Sequence, residues 1–353
     1  MYLSEQFNCF TLWEDTYFSE DPRSIKYVSS IGLIVKQTKL SLQVDTKKLN
    51  VFARHETFHP RFGWIKKGFD RAVEDPHVFL AEDAPVRLGV GKNMVRSIRY
   101  WCMAFKVLDE MDGIAPTDLG SMLLEDDGWD PFLEDPASLW LLHWTLLTPP
   151  CYATAWDFIF NQFRQTEFSA EDLFVALCDY LNGQSVRVAE SSLRKDITCI
   201  LRMYAEQEGK GGFNEDLVDC PFTDLRLIYA AGDSKQYEFQ VGPKENLSAE
   251  VVVYACLDFA SRVTKGQKTI GLSRLAFDTG SPGLIFKLSE SAISEAIERV
   301  SHEWEIALSD AAGLLQLSYR DDPKELAIDI LEDYYENRQK QAKQKRSKSA
   351  RSN

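Results

Sequence analysis

The stretch Ala84–Leu108, APVRLGVGKNMVRSIRYWCMAFKVL, contains a Gly-Val-Gly-Lys-Asn pentapeptide that admits two readings. It could be a phosphate-binding loop or the tight turn of a helix-turn-helix. A Walker-type loop needs a glycine five positions before its Gly-Lys pair, and a Ser or Thr after the lysine to hold magnesium. Val86 stands at the first position and Asn93 at the second, so that reading fails twice. In the other reading, residues 83–90 supply a short helix, Gly89-Val90-Gly91 the turn, and Lys92–Leu108 a longer helix. On the longer helix Val95, Ile98, Cys102 and Phe105 share one face, while Lys92, Asn93, Arg96 and Arg99 share another. An apolar inner face under a basic, amide-bearing outer face suits a major-groove recognition helix. Arginine reads guanine edges, asparagine reads adenine, and lysine holds phosphate. The next segment, DEMDGIAPTDLGSMLL, carries the turn residues of a wing.

The 353-residue chain has a formal charge of −14, which on average opposes nucleic-acid binding. The average conceals segregation. From Pro85 to Lys106 every charge is positive, and from Val107 to Pro136 every charge is negative. One local surface is therefore expected to be basic and the next acidic. Seven scattered cysteines form no CxxC pair and read as reduced, buried thiols. The first ten residues, MYLSEQFNCF, lack the pattern of a secretory signal. SLWLLHWTLL, the longest strongly apolar run, is far short of the roughly 18 residues of a membrane span. A cytoplasmic protein with no membrane partner is expected.

The pattern predicts a mainly α, α+β chain built of several modules. Residues 1–50 alternate short apolar runs and polar breaks and read as a strand-like or irregular extension. Residues 51–150 form a winged-helix-like module, with one helix whose face is Ile65, Phe69 and Val73. Asp135-Pro136 caps ASLWLLHWTLL, which is apolar on all sides and reads as a central helix. Residues 151–208 read as helical, with a capping box at Ser169 and Asp172, and 209–219 as a hinge rich in glycine and charge. Residues 220–336 form an α+β module with a glycine-rich turn at 232–242, helices capped by Ser248 and Ser289, and a strand pair in 304–320. Its order makes it a second winged-helix-like candidate. Residues 337–353 are basic, without one acid after Asn337, and read as a disordered tail.

Two long runs carry a resemblance. They are RHETFHPRFGWIKKGFDRAVEDPHVFLAEDAPVRLGVGKNMVRSIRYWCMAFKVL and TDLGSMLLEDDGWDPFLEDPASLWLLHWTLL, with the later phrases GSPGLIFKL and DAAGLLQL. Together they resemble the bacterial SspB-like family, which accompanies the Ssp system of DNA phosphorothioation in phage defence. The resemblance implies a DNA-engaging component, a nicking endonuclease by preference. It would work on double-stranded DNA beside a cysteine desulfurase, an ATPase and a sulfurtransferase. It does not supply catalytic residues. A non-catalytic DNA-binding adaptor, or a structural interaction protein without DNA contact, are the alternatives.

The candidate DNA-binding residues are Arg61, Lys66, Lys67, Arg87, Lys92, Asn93, Arg96 and Arg99. Arg187, Arg194, Lys195 and Arg202 add a second basic strip if their helices pack beside the first module. For magnesium, which a metal-dependent nickase uses to activate water, the candidate ligands are Asp126, Asp127 and Asp130 in an acidic turn. HETFH at His55–His59 matches the zinc-peptidase pattern, but that chemistry needs a helix and Pro60 disfavours one at His59. No zinc is expected.

Overall fold

The computed structural model describes residues 50–110, 113–205, 220–231, 235–311 and 313–349. The extension expected before residue 50 and the hinge expected at 209–219 lie outside the described residues. The described part is mainly helical with small antiparallel sheets, an α+β architecture, as the sequence pattern predicts.

Helix α1 (Trp64–Glu74) buries Trp64, Ile65, Phe69 and Ala72, while Val73 is 54% exposed. The expected face is displaced by one residue. At about 100° per residue, Ala72 returns to within about 20° of Ile65, whereas Val73 overshoots by about 80°. Helix α2 (Ala84–Leu88) ends at Gly89, and α3 (Lys92–Ala104) follows. The α3 helix is shorter than expected, because Phe105 closes it and Lys106 turns into the left-handed region at φ 57°. Strands β1 (Leu108–Glu110) and β2 (Ile114–Pro116) form an antiparallel hairpin with Leu108 opposite Pro116. Helices, turn and hairpin follow one another here, but the second half of the segment expected to form the wing, Asp118–Leu124, is helical. Helix α4 (Asp118–Leu124) is capped by Thr117, whose side chain accepts from the Gly120 N–H.

Helix α5 (Pro136–Leu147) is buried at every position from Ala137 to Leu147, as its all-round apolar sequence predicts. Asp135 caps its start by accepting from the Ala137 N–H. Its C-terminus is capped by Lys106, whose ammonium donates to the carbonyls of Thr145 and Thr148 and to the Thr148 hydroxyl. Burial pushes the pKa of that ammonium down to about 8. The only histidine in α5, His143, is wholly buried. Its Nε2 lies 3.0 Å from the Ile285 carbonyl and must donate to it, so Nδ1 accepts from the Tyr204 hydroxyl at 2.8 Å.

After α5 two similar element orders follow one another, the second with one more helix. Helix α6 (Thr154–Asn161) leads to β3 (Glu167–Ser169), α7 (Ala170–Gly183), α8 (Glu190–Tyr204), β4 (Ile228–Ala230) and β5 (Gln236–Phe239). Helix α9 (Ala249–Val263) leads to β6 (Thr269–Gly271), α10 (Leu272–Phe277), α11 (Pro282–Ile285), α12 (Glu290–Val300), β7 (Ile306–Ala311) and β8 (Leu314–Tyr319). The sheets share one arrangement, β3-β5-β4 and β6-β8-β7, with the last strand in the centre. The caps expected at Ser169, Ser248 and Ser289 are all formed, the first as a full capping box. Two expectations change. Residues 151–208 are not purely helical, because β3 pairs with β5 across the expected hinge, and part of the expected turn at 232–242 is strand β5. Pairing with strands distant in sequence is what made these short segments into a sheet.

The expected disordered tail also changes. Helix α13 (Pro323–Ser349) runs on well beyond Asn337. The Arg338 guanidinium bonds Asp135 at 2.7 Å, and the Gln339 amide donates to the carbonyls of Gly128 and Trp129. Lys340 pairs with Glu336 one turn back. These partners lie some 200 residues earlier in the chain or within the helix itself, and local composition carries no trace of the distant ones.

Two consequences can be measured. A Cβ at Gly120 would fall 2.0 Å from the Val107 carbonyl oxygen. Gly120→Ala is therefore expected to destabilise the fold by about 3 kcal/mol, read from urea unfolding. His143 has its pKa driven down from 6.5 to about 3 by burial. The unfolded chain takes up this proton below pH 6.5 while the folded one does not, so stability is full above pH 6.5 and falls as the pH drops toward 3. Between pH 7 and pH 5 the His143 contribution to the loss is about 2 kcal/mol, and it should be missing from the pH dependence of a His143→Gln variant.

Candidate nucleic-acid interface

Two glycines set the entry to α3. Gly89 takes φ 65°, a left-handed conformation that ends α2, and Gly91 is extended at the N-cap. Beyond them Val95, Ile98, Cys102 and Phe105 are buried, as expected, together with Trp101. Lys92, Asn93 and Arg96 are exposed, and Arg99 is half-buried. The start of α3 thus presents Lys92 and Asn93 to solvent beside the unpaired N–H groups of a helix N-terminus, a combination suited to phosphate.

The other expected DNA-binding residues divide into several environments. Lys67 is exposed. Lys66 is buried, and its ammonium bonds Asp70 at 2.7 Å, Asp126 at 2.9 Å and the Leu124 carbonyl at 3.1 Å. Burial works against that charge, but the two carboxylates outweigh it and hold the pKa above its ordinary value. The residue ties α1 to the end of α4 and has no donor left for phosphate. Arg87 bonds Asp75 at 2.6 Å, which lowers the carboxyl pKa. The Arg61 guanidinium lies over the rings of Phe58 and Trp64, 5.9 and 5.4 Å from their centroids. Arg96 lies 3.6 Å from Glu56, and Arg99 bonds Glu110 at 2.7 Å. The expected contrast between a basic and an acidic surface is therefore softened. The hairpin folds Glu110 from the acidic block against Arg99 of the basic one, although such exposed pairs contribute little to stability.

A cavity of about 420 Å³ opens beside α3. Arg54, Arg96 and Arg99 supply donors to it, Glu56 and Glu110 acceptors, and Tyr100 and Tyr152 aromatic wall. The Tyr100 hydroxyl donates to the Tyr152 carbonyl. The wall carrying Arg54 and Glu56 is held from beneath by Asp196 on α8. Its carboxylate accepts from the Ala53 N–H at 2.8 Å and bonds His55 Nε2 at 2.7 Å, while the Val51 N–H donates to Thr154. Burial raises the Asp196 pKa, and the bond to His55 opposes that. Sequence reasoning passed over Arg54, Tyr100, Glu110 and Tyr152 as a group, because they come from separate stretches and share no motif.

The pentapeptide at His55–His59 is a turn, not a helix, with Glu56 and Thr57 at positive φ and both histidines buried. The acidic turn also has another use. The Asp130 carboxylate accepts from the Glu134 and Asp135 N–H groups and from the Ser138 hydroxyl at 2.6 Å. Since Ser138 spends its proton there, Tyr335 of α13 donates to the Ser138 oxygen at 3.0 Å. Asp126 pairs with Lys66, and Asp127 is exposed. Among the described residues, no group of three or more His, Cys, Asp or Glu side chains is placed to hold a metal ion.

Comparison with known proteins places these features in a family. Residues 52–335 match the family model described as "Protein of unknown function (DUF4007)". Two solved structures resemble the chain with a TM-score of 0.77, one described as a magnesium ion-bound SspB crystal structure and the other as an SspB crystal structure. They are 40% and 39% identical to it, and each match covers 82% of this chain and 89% of the other. No curated protein matches it. No described helix is long and apolar enough to cross a membrane.

The Asp196 cluster leads to a direct test. Asp196→Ala leaves His55 and the Ala53 N–H without a buried acceptor. It is expected to cost about 3 kcal/mol in chemical denaturation, and Asp196→Asn, which keeps an acceptor, should cost less.

Proposed function

The chain belongs to the SspB-like family, and from that premise we propose that it engages double-stranded DNA as the nicking component of the Ssp phosphorothioation and phage-defence system. The observation that carries DNA engagement is the exposed start of α3. Lys92, Asn93 and Arg96 stand there behind a glycine turn, on a helix packed over a core and followed by the β1–β2 hairpin. In a winged helix this helix enters the major groove and the hairpin lies along the backbone. In this reading Lys92 and Lys67 neutralise phosphates and Asn93 and Arg96 face base edges. Arg96 comes to DNA by exchanging Glu56 for a base or a phosphate.

Nicking is the activity that the family resemblance implies, and one similar structure is described as magnesium ion-bound. Of the candidate magnesium ligands, Asp130 accepts from two backbone N–H groups and Ser138 and Asp126 pairs with Lys66, while Asp127 is exposed, so no step is assigned to an ion at that turn. The same observation favours a second reading, a DNA-binding adaptor that recruits the cysteine desulfurase, ATPase and sulfurtransferase of the system.

Lys92→Ala combined with Asn93→Ala is expected to weaken duplex binding about tenfold. It should also reduce the slope of log affinity against log salt by about one, the loss of one phosphate contact. Binding that keeps both its strength and its slope in the folded variant would remove α3 from the interface. Relaxation of a supercoiled plasmid, run with and without magnesium, separates the nickase from the adaptor: a nickase converts the plasmid to open circles, and an adaptor binds it unchanged.

A further inference from the structure

Helix α8 occupies the same place in its unit as α12 does in the next. Each is the last described α-helix before a hairpin, in a sheet whose final strand is central. In the first module α3 likewise is the last helix before a hairpin. The solvent faces of α8 and α12 differ in charge. On α8, Ser191, Arg194, Lys195, Thr198 and Arg202 are exposed and recur at helical spacing along one stripe, over a face buried through Leu193, Ile197, Ile200 and Leu201. On α12 the exposed residues are Ser291, Glu295, Glu298 and Arg299, and Arg299 faces Glu295 at 3.9 Å. One scaffold thus presents a cationic helix in one copy and an acidic one in the other.

The details of the α8 stripe suit a polyanion. Arg194 is held in place by two bonds to Glu171, at 2.8 and 3.2 Å, and by stacking 3.7 Å over the Phe174 ring. Lys195 and Arg202 extend from the same side and have no ion-pair partner among the described residues, and Arg187 is exposed in the turn that leads into α8. The neighbouring sheet is unsuited to phosphate, since Glu167 and Glu238 are paired across β3 and β5 and both are exposed. A phosphate backbone would therefore meet the helix and its turn rather than the strands.

We propose that α8 is a second DNA-contacting helix, which holds the sugar-phosphate backbone of a duplex through Arg187, Lys195 and Arg202 while α12 stays off the DNA. This rests on the DNA-engagement reading of α3 and adds a second point of contact on the same chain. A phosphate-only contact set carries no base readout, so this helix contributes affinity and placement and leaves sequence preference to α3.

The test uses the full chain and a long duplex, with binding measured across a range of salt and the contacts mapped by hydroxyl-radical footprinting. Replacing Arg187, Lys195 and Arg202 together by alanine should lower the salt slope by about three and remove one of two protected segments. The segment assigned to α3 should survive there and be lost instead in Lys92→Ala/Asn93→Ala. Exchanging the charges conservatively, Lys195→Arg with Arg202→Lys, should restore the slope, and Arg299→Ala on α12 should leave slope and footprint unchanged. All four positions are exposed, and an unaltered thermal melt shows that a variant is folded. An unchanged slope and footprint in the folded α8 variant, with the α3 variant still defective, would overturn the second contact and leave the first standing. A loss equal to that of the α8 variant in Arg299→Ala would also overturn it, by showing a general charge effect. If the unaltered chain binds no duplex, the reading of α3 fails, and this inference fails with it.

Discussion

A neutral histidine at the centre of α5 is the constraint on which the rest of the fold turns. His143 donates to the Ile285 carbonyl on α11 and accepts from Tyr204 on α8, so one ring fixes the central helix against both later units. The ring stays uncharged because burial holds its pKa down to about 3, which leaves Nδ1 free to accept from Tyr204. The remainder of α5 is apolar on every side and can be placed only in the interior. The three element groups are accordingly arranged around it, and α3 reaches it directly where the Thr145 hydroxyl donates to the Phe105 carbonyl.

Charged side chains are used in this structure as fasteners. Lys106 closes the C-terminus of α5, Lys66 joins α1 to α4, and Asp196 holds the 51–57 segment against α8. Asp130 organises the acidic turn and, through Ser138 and Tyr335, seats α13 on it. Each buried charge has several partners, the condition under which its desolvation is offset. The consequence for function is subtractive. Most cations near α3 are engaged with carboxylates or aromatic rings, and the groups left open are few: Lys92, Asn93, Lys67 and, in the cavity wall, Arg54, with Arg96 loosely paired.

The similar element orders give those few groups a context. Two units share one strand arrangement around α7–α8 and α10–α12, and their last α-helices differ in surface charge. Scaffold geometry is carried by buried residues, so the exposed stripe is free to vary without disturbing the fold. An acidic chain can in this way confine positive potential to a few helix faces, which places a polyanion more narrowly than a uniformly basic surface would.

Elements specified by local chemistry were legible in the sequence. The glycine turn before α3, the buried face of that helix, the all-round apolar α5 and the capping serines each depend on residues within a few positions, and each forms as expected. The family was legible as well, in the long phrases that carry the resemblance. What depends on distant partners was not. β3 joined strands beyond the hinge, and the basic end of α13 became helical over Asp135 and the Trp129 carbonyl. The same limit governed the site. Periodicity grouped Lys92, Asn93, Arg96 and Arg99 on one face, but whether a cation stays free depends on which carboxylate the fold brings to it. Glu56 and Glu110 arrive from opposite ends of the module, and Asp126 reaches Lys66 across 60 residues. Sequence spacing sets which side chains share a helix face; only the tertiary structure sets what they meet there, because ion pairs and buried hydrogen bonds are decided by distance in space.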